Sequence, residues 1–145
     1  MTDNKKKVFG VKKVNFKHAA YRYKETNLVT RTEVERVLVL LNECLHQTQL
    51  CEKAIQSEDR ESLYACLTTA QQLLFELMAT ANRRTIEGER LLSFYAYLNQ
   101  CLVKVRLDQK LEVLAEVLEY LQEMIKSWEI AKQKSREQKY TSDWI

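Results

Sequence analysis

Apolar residues in the middle of the chain recur every three or four positions, which is the spacing of one face of an α-helix. Thr32 and Glu35 have the S/T-x-x-E spacing of a capping box just before the first such run. We therefore expect the first long helix to begin there and to reach about Gln56. Its predicted buried positions are Val34, Leu38, Leu41, Leu45 and Thr48.

Two further helices are expected before residue 106. The polar stretch Ser57–Ser62 is predicted to link the first long helix to the second, and a turn is expected at 82–88. The third helix should run from about Gly88 to Val105, and Asp108 is the expected N-cap of the fourth. Core positions predicted for the second helix are Leu63, Leu67, Ala70, Leu74, Leu77 and Ala81, and those for the third are Leu91, Tyr95, Leu98, Leu102 and Val105.

The fourth helix carries more apolar positions than one buried stripe requires. It is predicted to run to about Lys139, a length of about 43 Å at the helical rise per residue. One stripe consists of Leu111, Leu114, Leu118, Leu121, Ile125 and Trp128. A second, about 100° away on a helical projection, consists of Val113, Val117, Tyr120 and Met124.

Surplus apolar residues also flank the core stripes of two other helices. They are Phe94, Tyr97 and Cys101 on the third helix and Val37, Val39, Leu40 and Cys44 on the first. A deeply buried helix would use its whole apolar arc for the core, so the sequence leaves open which stripe lies inside. If part of the surplus is exposed, it forms a groove that suits an amphipathic helical partner.

Composition favours long helices in one domain. The 145 residues include no proline and only two glycines, and 46% are hydrophobic against 30% charged. We predict an all-α fold, an antiparallel up-down-up-down four-helix bundle spanning residues 20–140, with a short N-terminal helix or arm at 17–25. Residues 1–18 hold six lysines and one aspartate within a net charge of +3, so residues 1–19 are predicted to form a basic, flexible tail.

The sequence contains no recognised arrangement of the residues that usually carry out catalysis or bind cofactors. There is no glycine-rich phosphate loop, G-x-S-x-G or HExxH motif, and Glu43 and His46 form one E-x-x-H where a di-iron bundle needs two. The cysteines lack metal-ligand spacing and are interpreted as small core residues. We expect no enzyme activity, cofactor, metal, nucleic acid or membrane insertion, and a cytoplasmic location.

Several segments resemble the flagellar secretion chaperones, a family that binds flagellin before its export. FYAYLNQCL at 94–102 is similar to the family's L-Y-D-Y-M-x-x-x-L segment. LEVLAEVLEYLQEMIKSW at 111–128 resembles the family's last helix. LLFELMATAN at 73–82 resembles the end of the helix that precedes the L-Y-D-Y-M-x-x-x-L segment. Upstream, Ala20 and Tyr21 match an Ala-Tyr pair of the family. Two other segments differ: VTRTEVE stands where the family has T-A-S-P-x-E-L, and Leu40–Glu43 lacks the Tyr and Gly of the family's L-Y-D-G.

The resemblance covers about Ala20 to Lys132 and implies a chaperone that holds the disordered C-terminal region of flagellin. It would prevent premature polymerisation and deliver its client to the flagellar type III export gate. The predicted client-binding residues are Tyr21, Phe94, Tyr97, Val113, Val117, Tyr120 and Met124. The altered upstream segments leave two alternatives open: a diverged relative that binds another flagellar protein or assists the main chaperone, and a structural homodimer.

Overall fold

The computed structural model describes residues 19–142, with side chains described for 19–134. The secondary structure of this part of the chain consists of helices joined by short links, with no strand, which confirms the all-α prediction. Its helices are α1 (Ala19–Asn27), α2 (Arg31–Gln56), α3 (Arg60–Thr80), α4 (Ile86–Asp108) and α5 (Leu111–Ser142). Residues 1–18, nearly all of the predicted basic tail, lie outside the described residues, and Ala19 is the first residue of α1.

Helix α2 begins with a capping box, but two residues earlier than predicted. Thr30 is the N-cap: its Oγ1 accepts a hydrogen bond from the backbone N–H of Glu33 at 3.2 Å. The backbone N–H of Thr30 in turn donates to Glu33 Oε2 at 2.8 Å. The predicted pair, Thr32 and Glu35, is wrong because both residues lie inside the helix.

The residues on either side of the two candidate caps explain the choice. With Thr30 as N-cap, Val29 precedes the cap and Val34 occupies the first position after the capping box, and both pack on the core. With Thr32 as N-cap, the charged Arg31 and Arg36 would occupy those positions. The observed start also pairs Arg31 Nε with Glu35 Oε1 at 3.2 Å, one turn apart on the helix surface.

Helix α2 ends at Gln56, as predicted, but the next two helices begin earlier than predicted. Asp59 caps α3, so the link after α2 is shorter than Ser57–Ser62. Helix α4 begins at Ile86 rather than Gly88, because Thr85 Oγ1 caps it by accepting from the backbone N–H of Gly88 at 3.0 Å.

Asp108 is the last residue of α4 and not the N-cap of the next helix, so that prediction is wrong. Gln109 follows it with a left-handed φ of 53°, and its N–H donates to the carbonyl of Val105 at 2.7 Å. A left-handed residue after the last turn is a common way to end a helix and to satisfy its free carbonyl groups. The polar Asp-Gln pair therefore ends α4 and reverses the chain toward α5.

The four long helices pack around one core, and α1 lies against two of them. Helix α2 packs on α3 and α5, and α4 packs on the same two helices. Helix α1 packs on α5 and α4. The largest fully buried side chains are Trp128, Tyr95 and Phe94.

Burial on α5 differs from the predicted core stripe. Leu111 is 38% exposed and Leu118 is half-buried, whereas the second stripe, formed by Val113, Val117, Tyr120 and Met124, is buried. The reason is that α5 contacts α1, α2 and α4, so its apolar arc meets neighbours on more than one side. On α2 the surplus residues Val37, Leu40 and Cys44 are also buried, but Val39 is 67% exposed.

Candidate functional site

Helices α4 and α5 bring six of the predicted client-binding side chains together in a cluster that we call the aromatic face. Its members are Phe94 and Tyr97 from α4 and Val113, Val117, Tyr120 and Met124 from α5. The ring of Tyr120 lies edge-to-face with that of Phe94, with centroids 5.7 Å apart, and with that of Tyr97, 6.0 Å apart. These are favourable geometries for aromatic pairs.

A hydrogen bond joins the two helices at the edge of this face. Tyr97 Oη donates to Glu116 Oε1 at 2.7 Å, a length typical of a bond to a charged acceptor. Burial, together with this bond, raises the pKa of the Tyr97 hydroxyl. The phenol therefore stays neutral and keeps its proton available for Glu116, which fixes the relative position of α4 and α5.

Carboxylates surround the exposed side of Tyr120. Burial and then the charges of Glu116, Glu123 and Glu119 raise the pKa of Tyr120 to about 12. These three glutamates recur at intervals of three and four residues along α5, and so lie on one side of the helix. The aromatic face therefore has an acidic rim.

Helix α1 lies across the part of α5 that follows the aromatic face. The backbone N–H of Ala20 donates to Ser127 Oγ at 3.2 Å in a buried contact. The ring of Tyr23 packs edge-to-face on Trp128, with centroids 6.0 Å apart. The ammonium group of Lys134 lies 4.6 Å from the ring centroid of Tyr21.

Tyr23 also ties α1 to the link between α3 and α4. Its hydroxyl donates to the carbonyl of Thr80 and accepts from the backbone N–H of Asn82, both at 3.1 Å. Burial raises the pKa of this hydroxyl. The side chains of Asn27 and Asn82 add a hydrogen bond of 2.7 Å. These hydrogen bonds hold α1 in place together with the burial of Ala20 and Tyr23 in the core.

The predicted site residues are buried or half-buried and do not form an open groove. The six members of the aromatic face each expose less than a tenth of their surface, and Tyr21 on α1 is half-buried against Lys134. Their contact with a client stays a prediction. Sequence reasoning missed Ser127 and Tyr23; the one sign of Ser127 was a polar residue inside an apolar arc of α5.

Two surface cavities lie away from the aromatic face. One, of about 480 Å³, lies between residues of α1, α2, α3 and α5, and its lining includes Tyr23, Glu33, Arg36, Glu76 and Trp128. The other, of about 440 Å³, lies beside the α2–α3 link. Neither is lined by any of the seven predicted client-binding residues.

Residues 19–142 contain neither a group of side chains suited to a metal ion nor a membrane-spanning helix. In that range, no three or more His, Cys, Asp or Glu side chains form a group that could hold a metal ion. No helix there is sufficiently long and apolar to cross a bilayer. The four cysteines, Cys44, Cys51, Cys66 and Cys101, are buried, as their interpretation as core residues predicted.

The described residues thus define an all-helical bundle with an aromatic face on its last two helices, and comparisons with known proteins identify its family. The family model described as Flagellar protein FliS matches residues 16–135. The chain is also 30% identical over 123 residues to the flagellar secretion chaperone FliS of Bacillus subtilis (strain 168), covering 85% of this chain and 92% of that protein. This chain belongs to the FliS family, which confirms the resemblance found in the sequence.

Proposed function

We propose that this protein is a cytoplasmic export chaperone that binds the disordered C-terminal region of flagellin on the aromatic face. The observation that carries the proposal is the arrangement of that face. Two neighbouring helices bring six largely apolar side chains together in the core, and the short helix α1 packs on the same pair of helices. The face also lies within the segment that matches the FliS family.

Because the aromatic face is buried, client binding must exchange one set of contacts for another. A flagellin segment that folds into an amphipathic helix would insert its apolar residues between α4 and α5 and compete with α1 for the end near Ser127. Tyr21, which lies on α1, would then contact the edge of the bound segment. Wide apolar contact compensates for the ordering entropy of the client.

The acidic rim adds a criterion for the bound segment. Glu116, Glu119 and Glu123 repel acidic side chains and attract basic ones next to Tyr120. We therefore expect the client helix to carry lysine or arginine, and no aspartate or glutamate, beside its central apolar residue. Binding should weaken at high salt because such rim charges are screened.

The proposal also states what client binding achieves. With its polymerising segment bound, flagellin would stay monomeric until it reaches the flagellar export apparatus, and the chaperone itself would consume no nucleotide.

We further propose that α2 to α5 run up-down-up-down. Links of only three, five and two residues and the packing of each long helix on two others support that order.

Calorimetric titration with a peptide of the flagellin C-terminal region tests the proposal. The double variant Val113→Ala/Tyr120→Ala should bind at least about tenfold more weakly, since two buried apolar contacts are lost. The matched control Val39→Ala/Phe75→Ala alters side chains that are 67% and 56% exposed on α2 and α3 and should bind normally. Circular dichroism establishes that both variants are folded. Absence of binding by the unaltered protein at tens of micromolar would refute the proposal.

A second candidate is a diverged relative that binds another flagellar protein. The α4–α5 link favours it, because Leu107 is 78% exposed and Val103 and Leu111 are also exposed, so an apolar patch lies outside the aromatic face. Capture of partners from a lysate of the source cells, followed by mass spectrometry, separates the two. Recovery of a flagellar protein other than flagellin, retained by the Val113→Ala/Tyr120→Ala variant, favours the second candidate.

A further inference from the structure

Two of the four buried cysteines lie much closer together than ordinary packing allows. The Sγ atoms of Cys51 on α2 and Cys66 on α3 are 2.7 Å apart. Heavy atoms in van der Waals contact rest about 3.5 Å apart or more, and bonded sulfur atoms are about 2.05 Å apart. Both thiols are free, so the pair lies between a packing contact and a bond.

The two thiols differ in their access to solvent. Cys51 is fully buried, and burial raises the pKa of its thiol. Cys66 is 6% exposed and lines the cavity of about 440 Å³ beside the α2–α3 link, together with Lys53. A small oxidant in that cavity therefore meets Cys66 before it meets Cys51.

We propose that Cys51 and Cys66 are a redox modification site that forms a reversible disulfide between α2 and α3 when the protein meets a peroxide. The Cys66 thiolate attacks one oxygen of hydrogen peroxide, and the O–O bond breaks. Hydroxide departs, and Cys66 becomes a sulfenic acid. Cys51 then attacks the Cys66 sulfur, the S–O bond breaks, and water leaves with the proton of Cys51. Two thiols are oxidised, and one peroxide is reduced to two waters.

The bond would tie the two helices on either side of their three-residue link. The cavity that Cys66 lines contains no residue of the aromatic face, so the pair lies away from that face. The disulfide should therefore stabilise the α2–α3 pair and leave client binding unchanged. It constrains a segment of about 15 residues, and the resulting rise in melting temperature should be about 5 °C or more.

Peroxide treatment of the folded full-length chain, followed by thiol counting and non-reducing peptide mapping, tests the proposal. The reactive thiols should fall from four to two, with Cys51 and Cys66 in one linked peptide and full recovery on reduction. Cys101→Ala should form the same bond, whereas Cys51→Ser and Cys66→Ser should not. Client titration in parallel separates this proposal from the chaperone function, since loss of binding by the reduced protein would concern only the latter.

Three outcomes would overturn the proposal. The first is a peptide map in which Cys51 and Cys66 remain unlinked after peroxide treatment of the folded protein. The second is linkage that appears only in denaturant, because the native geometry would then contribute nothing. The third is an oxidised protein that melts at or below the temperature of the reduced one, which would mean that the bond distorts the helices.

Discussion

Replacement of Gly88 by alanine should destabilise the protein, although the same exchange within a helix normally does the opposite. A Cβ atom at Gly88 would overlap the backbone carbonyl oxygen of Asn82 and lie 2.9 Å from Thr85 Oγ1, the group that caps α4. Helix propensity favours alanine by about 1 kcal/mol. Overpacking against the backbone costs about 1–3 kcal/mol, and loss of the cap costs about 1 kcal/mol.

The expected net effect of Gly88→Ala is a loss of about 1–3 kcal/mol and of about 3–10 °C in melting temperature. Urea unfolding monitored by circular dichroism measures it. Arg90→Ala is the matched control, because Arg90 is exposed one turn into the same helix and its removal should change stability by less than about 0.5 kcal/mol. A Gly88→Ala protein as stable as the original would refute the close approach of the 82–85 link to α4.

Three further changes give direct readouts. Ser127→Ala removes the acceptor for the buried N–H of Ala20 and should weaken the attachment of α1 by about 1 kcal/mol. Because the client is proposed to displace α1 there, client affinity should rise about fivefold. Unchanged affinity would mean that α1 does not compete with the client. The pKa of Asp59 is lowered by its hydrogen bonds to Ser62, so its contribution to stability is present above the unfolded pKa and lost as the pH falls through the folded one. The stability difference between the original protein and Asp59→Asn should therefore shrink from pH 6 to pH 3, and a constant difference would contradict this. Thr30→Ala should cost about 1 kcal/mol in urea unfolding; an equal loss from Thr32→Ala would contradict the observed capping box.

The periodic apolar pattern was sufficient to predict the helices but not all of their ends. Long periodic segments without proline favour helices over other secondary structure, and the family likeness in α4 and α5 also predicts helices there. The capping box was ambiguous because T-x-x-E occurs twice within six residues, at Thr30 and at Thr32. The valines that flank the Thr30 box, against the arginines that flank the Thr32 box, distinguish the two, and the structure shows both valines packed on the core.

The candidate site was predicted as a set of residues, but its burial was not. A helical projection places Val117 and Tyr120 on one side of α5, yet it contains no information on what packs against that side. The contact of α5 with α1 includes a hydrogen bond from the backbone N–H of Ala20 to the Ser127 hydroxyl, between residues 107 positions apart. The proximity of Cys51 and Cys66 likewise depends on how α2 and α3 pack, which no spacing rule predicts.

Hydrogen–deuterium exchange of the chaperone with and without the C-terminal region of flagellin tests the central claim most directly, because it locates the client on the unaltered protein. The account predicts slower exchange along α4 and α5 around Tyr97 and Tyr120, and faster exchange in α1 as its bond to Ser127 is lost. Protection confined to α2 and α3, with α4 and α5 unchanged, would contradict the assignment of the aromatic face as the binding site.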